Sequence, residues 1–224
     1  MKEIIVGEAI RKKLLGLTAV APVPPGFNRD AFAKSVIALM RAAGDRNDAN
    51  CWTHAALACE ALRRLGVQAE VRAGYAAWRV DGACGHAVVT HHPGGQVLET
   101  GANLLLYHAW VSVGREIADF STWTLPIKAE KADAMDGQIT PVTWTPEYLW
   151  VPEKTALHYH RVRDGWQAGL YCYERVEAIE RFLAADAPGI DEAGVQTILT
   201  CYRLALNGES VRVIGPNNGF TSGQ

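Results

Sequence analysis

The chain of 224 residues lacks any apolar run near the ~18 to 20 residues that a membrane-spanning helix requires. Its amino end does not read as a signal peptide, since Lys2 and Glu3 precede a brief Ile-Ile-Val run and then Glu8, Arg11, Lys12 and Lys13. Charge of one sign is also missing. With 22 Lys+Arg against 24 Asp+Glu the formal net charge is -2, whereas a phosphate-tracking domain concentrates Lys and Arg. The five cysteines, Cys51, Cys59, Cys84, Cys172 and Cys201, are odd in number and have no CxxC spacing. That fits neither a disulfide framework nor a zinc module. There is no internal repeat, no low-complexity block and, at Gly215-Pro216-Asn217-Asn218-Gly219, no lysine or following helix to make a phosphate loop. These absences lead to the expectation of a cytoplasmic protein with reduced thiols and with no nucleic-acid or membrane partner.

What is present is the composition of a globular chain, 49% hydrophobic and 21% charged. The expected organisation is a single domain over residues 1–214 and a flexible tail over 215–224. Helical spacing predicts a helix over 1–20, a second over 31–43 capped by Asn28 or Asp30, and a third from Cys51 to Gly66. The third is the strongest, being rich in Ala and Leu, with Arg63 and Arg64 in its last turn.

From Val67 the period becomes alternating, and antiparallel strands are expected at 67–80, 85–91, 96–100, 107–113 and 116–121. Residues 126–152 read as an irregular covering loop, followed by helices near 174–184 and 191–206. The fold class is therefore α+β, with a helix on an antiparallel sheet and further helices at both ends.

Cys51 would open the third helix, where unpaired backbone N–H groups and the macrodipole lower a thiol pKa and can also hold an oxyanion. A free cysteine is otherwise a small buried hydrophobe. A nucleophilic thiol needs a base, and the base an orienting partner. If Gly114-Arg115 is a two-residue hairpin turn, Val113 faces Glu116 and Trp110 faces Asp119. His108, Trp110, Ser112 and Asp119 then share one face, expected to be open, while Ala109, Val111, Val113, Ala118 and Phe120 cover the core.

The order of these features, with Asn50-Cys51-Trp52, Arg63-Arg64-Leu65-Gly66-Val67 and His108-Ala109-Trp110-Val111, resembles the transglutaminase-like branch of the papain-like cysteine proteinase superfamily. It is most similar to the bacterial members that include the leader peptidases of lasso-peptide biosynthesis, and it also resembles a family of uncharacterised bacterial proteins of that fold. The resemblance spans residues from about 45 to 125. It implies a papain-like core and a Cys51-His108-Asp119 triad that acts through a thioester acyl-enzyme on a peptide or small amide, without cofactor or metal.

His86, in Gly85-His86-Ala87-Val88, is a rival base, with Glu99 as the one carboxylate that follows it at hairpin spacing. Asn47 and Asn50 are both candidate oxyanion donors, and helix capping is the commoner role for Asn there. Trp52 and Trp110 flank the proposed triad and are candidates to line a substrate groove. His91-His92 would point to opposite faces of a strand, and His158-Tyr159-His160 would put both imidazoles on one strand face without a completing ligand, so no metal site is expected.

The leading expectation is a cysteine-dependent amide or peptide hydrolase or acyl transferase. The alternative is a catalytically silent module that binds a peptide or partner. An arylamine-type acyltransferase ranks lower, since no acyl-donor pocket is legible.

Overall fold

A computed structural model describes residues 23–43, 51–82, 87–93 and 106–215 of the chain. The expected helix at 1–20, the strand at 96–100 and all but the first residue of the tail lie outside the described residues.

Helix α1 runs Arg29–Ala43, its start capped by Asn28, whose Oδ1 accepts the Ala31 N–H at 3.0 Å. Helix α2 runs Cys51–Arg64 and buries Cys51, Ala55, Ala58, Cys59, Ala61 and Leu62 along one side. Small residues on that side let the helix lie close to strand β1, Ala69–Arg79, and strand β3, His108–Val113. Between these in sequence comes β2, Val88–Thr90, and after them β4, Glu116–Asp119. A single 3-10 turn, Thr122–Thr124, leads into helix α3, Leu125–Asp136.

Next come β5, Leu149–Pro152, and the short helix α4, Tyr159–Arg163. Strand β6, Tyr171–Arg175, and helices α5, Glu177–Ala185, and α6, Glu192–Leu206, complete the described chain. The fold is mixed α+β, as expected. Among the described residues no helix is long and apolar enough to cross a membrane.

The antiparallel sheet has the order β2-β1-β3-β4-β5, with β6 also on β1. Gly74 pairs with both His108 and Arg175, while Ala77 and Trp78 pair with both β2 and β6. Strands β3 and β2 therefore follow one another along one edge of β1, and β6 takes the other. A Cβ on Gly74 would stand 2.0 Å from the Glu174 carbonyl oxygen, so glycine is what lets β6 come this close. The β3–β4 hairpin turns at Gly114-Arg115 with Gly114 at φ 60°, and Val113 pairs with Glu116 as its two-residue loop requires.

Alternation along β3 sends Ala109, Val111 and Val113 into a core shared with α1, α2 and α6, where Phe32, Val36, Leu62 and Ile198 are buried. The opposite face is not open. Trp78, Val80, Leu125, Ala129 and Leu149 form a second apolar cluster there, and His108 and Asp119 are each only 1% exposed. The cover is α3, in the segment expected to be irregular. Pro126 in its first turn and Gly137 just past its end suit a helix, and the Ala, Lys and Glu residues between favour one.

Two smaller expectations are also corrected. His158 and His160 belong to the start of α4 and not to a strand, because Arg161 and Val162 N–H both bond back to the His158 carbonyl. The helix expected from 174 starts at Glu177, since Tyr171–Arg175 pairs with β1.

Candidate active site

Cys51 is the first residue of α2, so the first-turn N–H groups around it have no partner within the helix. Its side chain is 8% exposed and belongs to the main core. The thiol is within hydrogen-bonding reach of the His108 imidazole, and the Ala109 backbone N–H also donates to it. The helix start thus meets the first residues of β3.

His108 Nε2 and Asp119 Oδ2 are 2.8 Å apart, which leaves Nδ1 as the nitrogen that faces the sulfur. Asp119 is held from several sides. Its Oδ2 accepts the Tyr173 hydroxyl at 2.7 Å, and its Oδ1 accepts the Ser121 N–H at 2.9 Å and the Ser121 hydroxyl at 2.8 Å. Tyr173 in turn accepts from Trp78 Nε1 at 2.9 Å. The Trp78 ring stands edge-on to His108 with centroids 4.9 Å apart. A buried carboxylate with this many donors has little freedom to rotate, so the imidazole it holds keeps one orientation.

Burial by itself raises a thiol pKa, yet Cys51 lies below its ordinary value. The hydrogen bond to and charge of His108, the charge of Lys128 and the Ala109 N–H together outweigh burial. Burial likewise pulls the His108 imidazole down, but the charge and hydrogen bond of Asp119 and the contact with Cys51 raise it overall. For Asp119, burial is overcome by His108, Lys128 and Tyr173, and the carboxyl is held well below the usual carboxylate range. All three shifts favour the thiolate-imidazolium form beside an ionised carboxylate.

Three neighbours were not singled out by the sequence as parts of this site. Tyr107 has its hydroxyl hydrogen-bonded to Cys51, and burial first, then the thiol, push it up to about 12. His91 follows β2 and donates its N–H to Ala76 at 2.7 Å. It therefore arrives at the same edge of β1 as His108, and the two rings stack with centroids 5.8 Å apart. Lys128 of α3 is 7% exposed, with Nζ 5.0 Å from the centre of the Trp78 ring. Tyr171-Cys172-Tyr173 has the alternation of a strand and could have drawn attention to Tyr173, whereas Lys128 sits in a stretch with no legible period.

Among the other candidates, Trp110 is buried, its ring centroid 6.5 Å from that of His108 and 5.2 Å from that of Tyr173. Trp52 is half-buried and packs on the main core. Asn47 and Asn50, and likewise His86 and Glu99, lie outside the described residues. His91 and His92 do point apart, His92 lying 3.2 Å from Glu174 and stacking on Tyr159. Among the described residues no group of three or more His, Cys, Asp or Glu side chains is placed to hold a metal.

No family model matches the chain, and no curated protein matches it in sequence. A protein solved in a genomics project is similar to it in structure over 81% of this chain and 79% of its own, at 17% identity and a TM-score of 0.47. That likeness is too slight to carry an argument about fold or chemistry.

Proposed function

We propose that the chain is a cysteine-dependent amide or peptide hydrolase, or an acyl transferase of the same chemistry, built on a papain-like core of the transglutaminase-like kind. One observation carries the reading. A thiol at a helix start touches an imidazole that is held at 2.8 Å by a buried, fully hydrogen-bonded carboxylate. Nucleophile, base and orienter thus stand in the order that thiol catalysis requires.

In this mechanism the Cys51 thiolate adds to a substrate carbonyl carbon, and the carbonyl π electrons move onto oxygen. N–H groups of the first turn of α2 would serve as donors to that oxyanion. When the intermediate collapses, the C–N bond breaks and the amine leaves with the proton of the His108 imidazolium, so a thioester remains on Cys51. Water, or an acceptor amine, then gives a proton to His108 and attacks the thioester. The C–S bond breaks, the thiolate returns and the imidazolium is restored. Asp119 keeps its charge throughout and holds the ring in place.

The test is the rate of Cys51 alkylation against pH, read by mass spectrometry in the parent and in His108→Ala. A plateau reaching well below the free-thiol pKa of ~8.5, and lost in the variant, is expected. A parent rate that follows an ordinary thiol overturns the reading. Peptide binding that survives Cys51→Ala, with no turnover by the parent, would favour the silent binding module instead.

A further inference from the structure

Lys128 lies in the first turn of α3, where the positive end of the helix disfavours a cation, and it is 7% exposed. Among the described residues no carboxylate is ion-paired with it; it lies over the face of Trp78, and its charge reaches Cys51, His91, His108 and Asp119. Removing a cation from water without a paired anion is costly, and a cation–π contact offsets only part of that cost. The helix that carries Lys128 packs on β2, and His91 directly follows β2.

The His91 Nε2 atom is buried and has no hydrogen-bond partner. An orphaned buried polar atom of this kind is a cost to the fold that a bound ligand can relieve. Trp78 connects the two groups to the site, its ring centroid 5.9 Å from that of His91 and 4.9 Å from that of His108. A cation with no directly paired carboxylate and an imidazole nitrogen without a hydrogen-bond partner therefore stand beside the Cys51-His108 pair.

We infer that Lys128 and His91 form a carboxylate-binding subsite beside Cys51 and His108, so that the substrate carries a carboxylate close to the bond that is cut. The inference rests on Cys51 being the nucleophile. A carboxylate oxygen would take Lys128 as its counter-charge, and the second oxygen would accept an N–H from His91. Burial, then the charges of Lys128 and His108, hold the His91 imidazole well below its ordinary pKa, so it enters as a neutral ring that can place its proton on Nε2. Two sources present this group, a peptide chain end and an acidic side chain.

The probe pair is iodoacetate and iodoacetamide, which differ by one carboxylate at the reacting carbon. With the parent, the iodoacetate-to-iodoacetamide rate ratio at Cys51 is expected to exceed that of a small uncharged thiol by about tenfold, the worth of one charge-assisted hydrogen bond. Lys128→Gln should return the ratio to that of the free thiol, Lys128→Arg should keep most of it, and His91→Phe should lower it in part. A parent ratio no greater than the free thiol's overturns the subsite, and this measurement does not depend on any variant folding.

If Lys128→Gln slows both reagents alike, Lys128 only offsets the charges of the thiolate and Asp119, which also overturns it. Slow iodoacetamide labelling of the parent at neutral pH sinks the thiol chemistry itself, and the subsite with it. Protection of Cys51 against iodoacetamide by acetyl-Ala-Ala-Ala with a free carboxyl end, and not by acetyl-Ala-Asp-Ala amide, assigns a chain end. The reverse assigns an acidic side chain, and protection by neither overturns the proposal.

Discussion

Cys51 and Cys59 stand on one helix, about two turns apart, at 8% and 1% exposure. Burial pushes both thiols up, yet their outcomes are opposite: Cys59 is raised to about 11, while Cys51 ends below its ordinary value. Cys59 lies in the apolar core, where the Arg63 charge and the Val71 N–H oppose burial but the charges of Glu60 and Glu70 add to it. Around Cys51 are an imidazole, a backbone N–H and a lysine charge. Burial does not decide the chemistry of a thiol by itself; what decides it is whether the enclosing groups offer protons and positive charge.

The largest expected effect separates the two directly. At pH 7 a thiol titrating near 11 is thiolate to about one part in ten thousand. Among the described cysteines, a short iodoacetamide pulse at neutral pH should therefore label Cys51, as read by peptide mass spectrometry, and leave Cys59 and the likewise raised Cys172 and Cys201 unmodified. Equal labelling of Cys51 and Cys59 would erase the distinction.

Removing the imidazole comes next. In His108→Ala burial of Cys51 remains while its main compensation is lost, so the alkylation profile should move to higher pH, with the rate at pH 6 falling about 10- to 100-fold. Turnover of an amide should follow a bell. It rises as Cys51 loses its proton below the ordinary thiol range, and falls at higher pH as the raised His108 loses the proton that the leaving amine needs.

A smaller effect is expected one step further out. Tyr173→Phe removes one donor from Asp119 and leaves Trp78 Nε1 without an acceptor, for a loss of about 1–3 kcal/mol in urea-unfolding free energy. It also weakens the hold on the Asp119 charge, so the imidazolium of His108 should be less favoured and the reactive plateau of Cys51 narrower. Unchanged labelling with lowered stability would show that Tyr173 supports the fold and not the pair. The smallest effect belongs to Cys59→Ala, expected to cost about 1 kcal/mol through lost packing and to leave the Cys51 rate as it is.

How legible the molecule was depended on the range of the interactions that decide each part. Helix α2 was readable because its Ala/Leu composition and basic last turn act within the helix. The β3–β4 register was readable because a two-residue turn at Gly114 fixes which residues face each other. Both facts are local, and together they put Cys51, His108 and Asp119 forward as candidates.

The α3 helix was missed for the opposite reason. Its sides are not segregated into apolar and polar faces, so only Pro126 and Gly137 marked its ends. Tyr173 was passed over because no strand was expected there and a helix was expected from 174, whereas Tyr171–Arg175 pairs with β1.

The sequence by itself determined the order of Cys51, His108 and Asp119, the helix that begins at Cys51 and the alternation that puts His108 and Asp119 on one face of a hairpin. Only the tertiary structure decided that this face is covered, that Tyr173 and Ser121 saturate Asp119, and that His91 and Lys128 are drawn beside the pair. The reason is physical. A strand's pattern says which side chains share a face, but the dielectric and the charges that this face meets come from residues far away in the chain, and those set the pKa of every group on it.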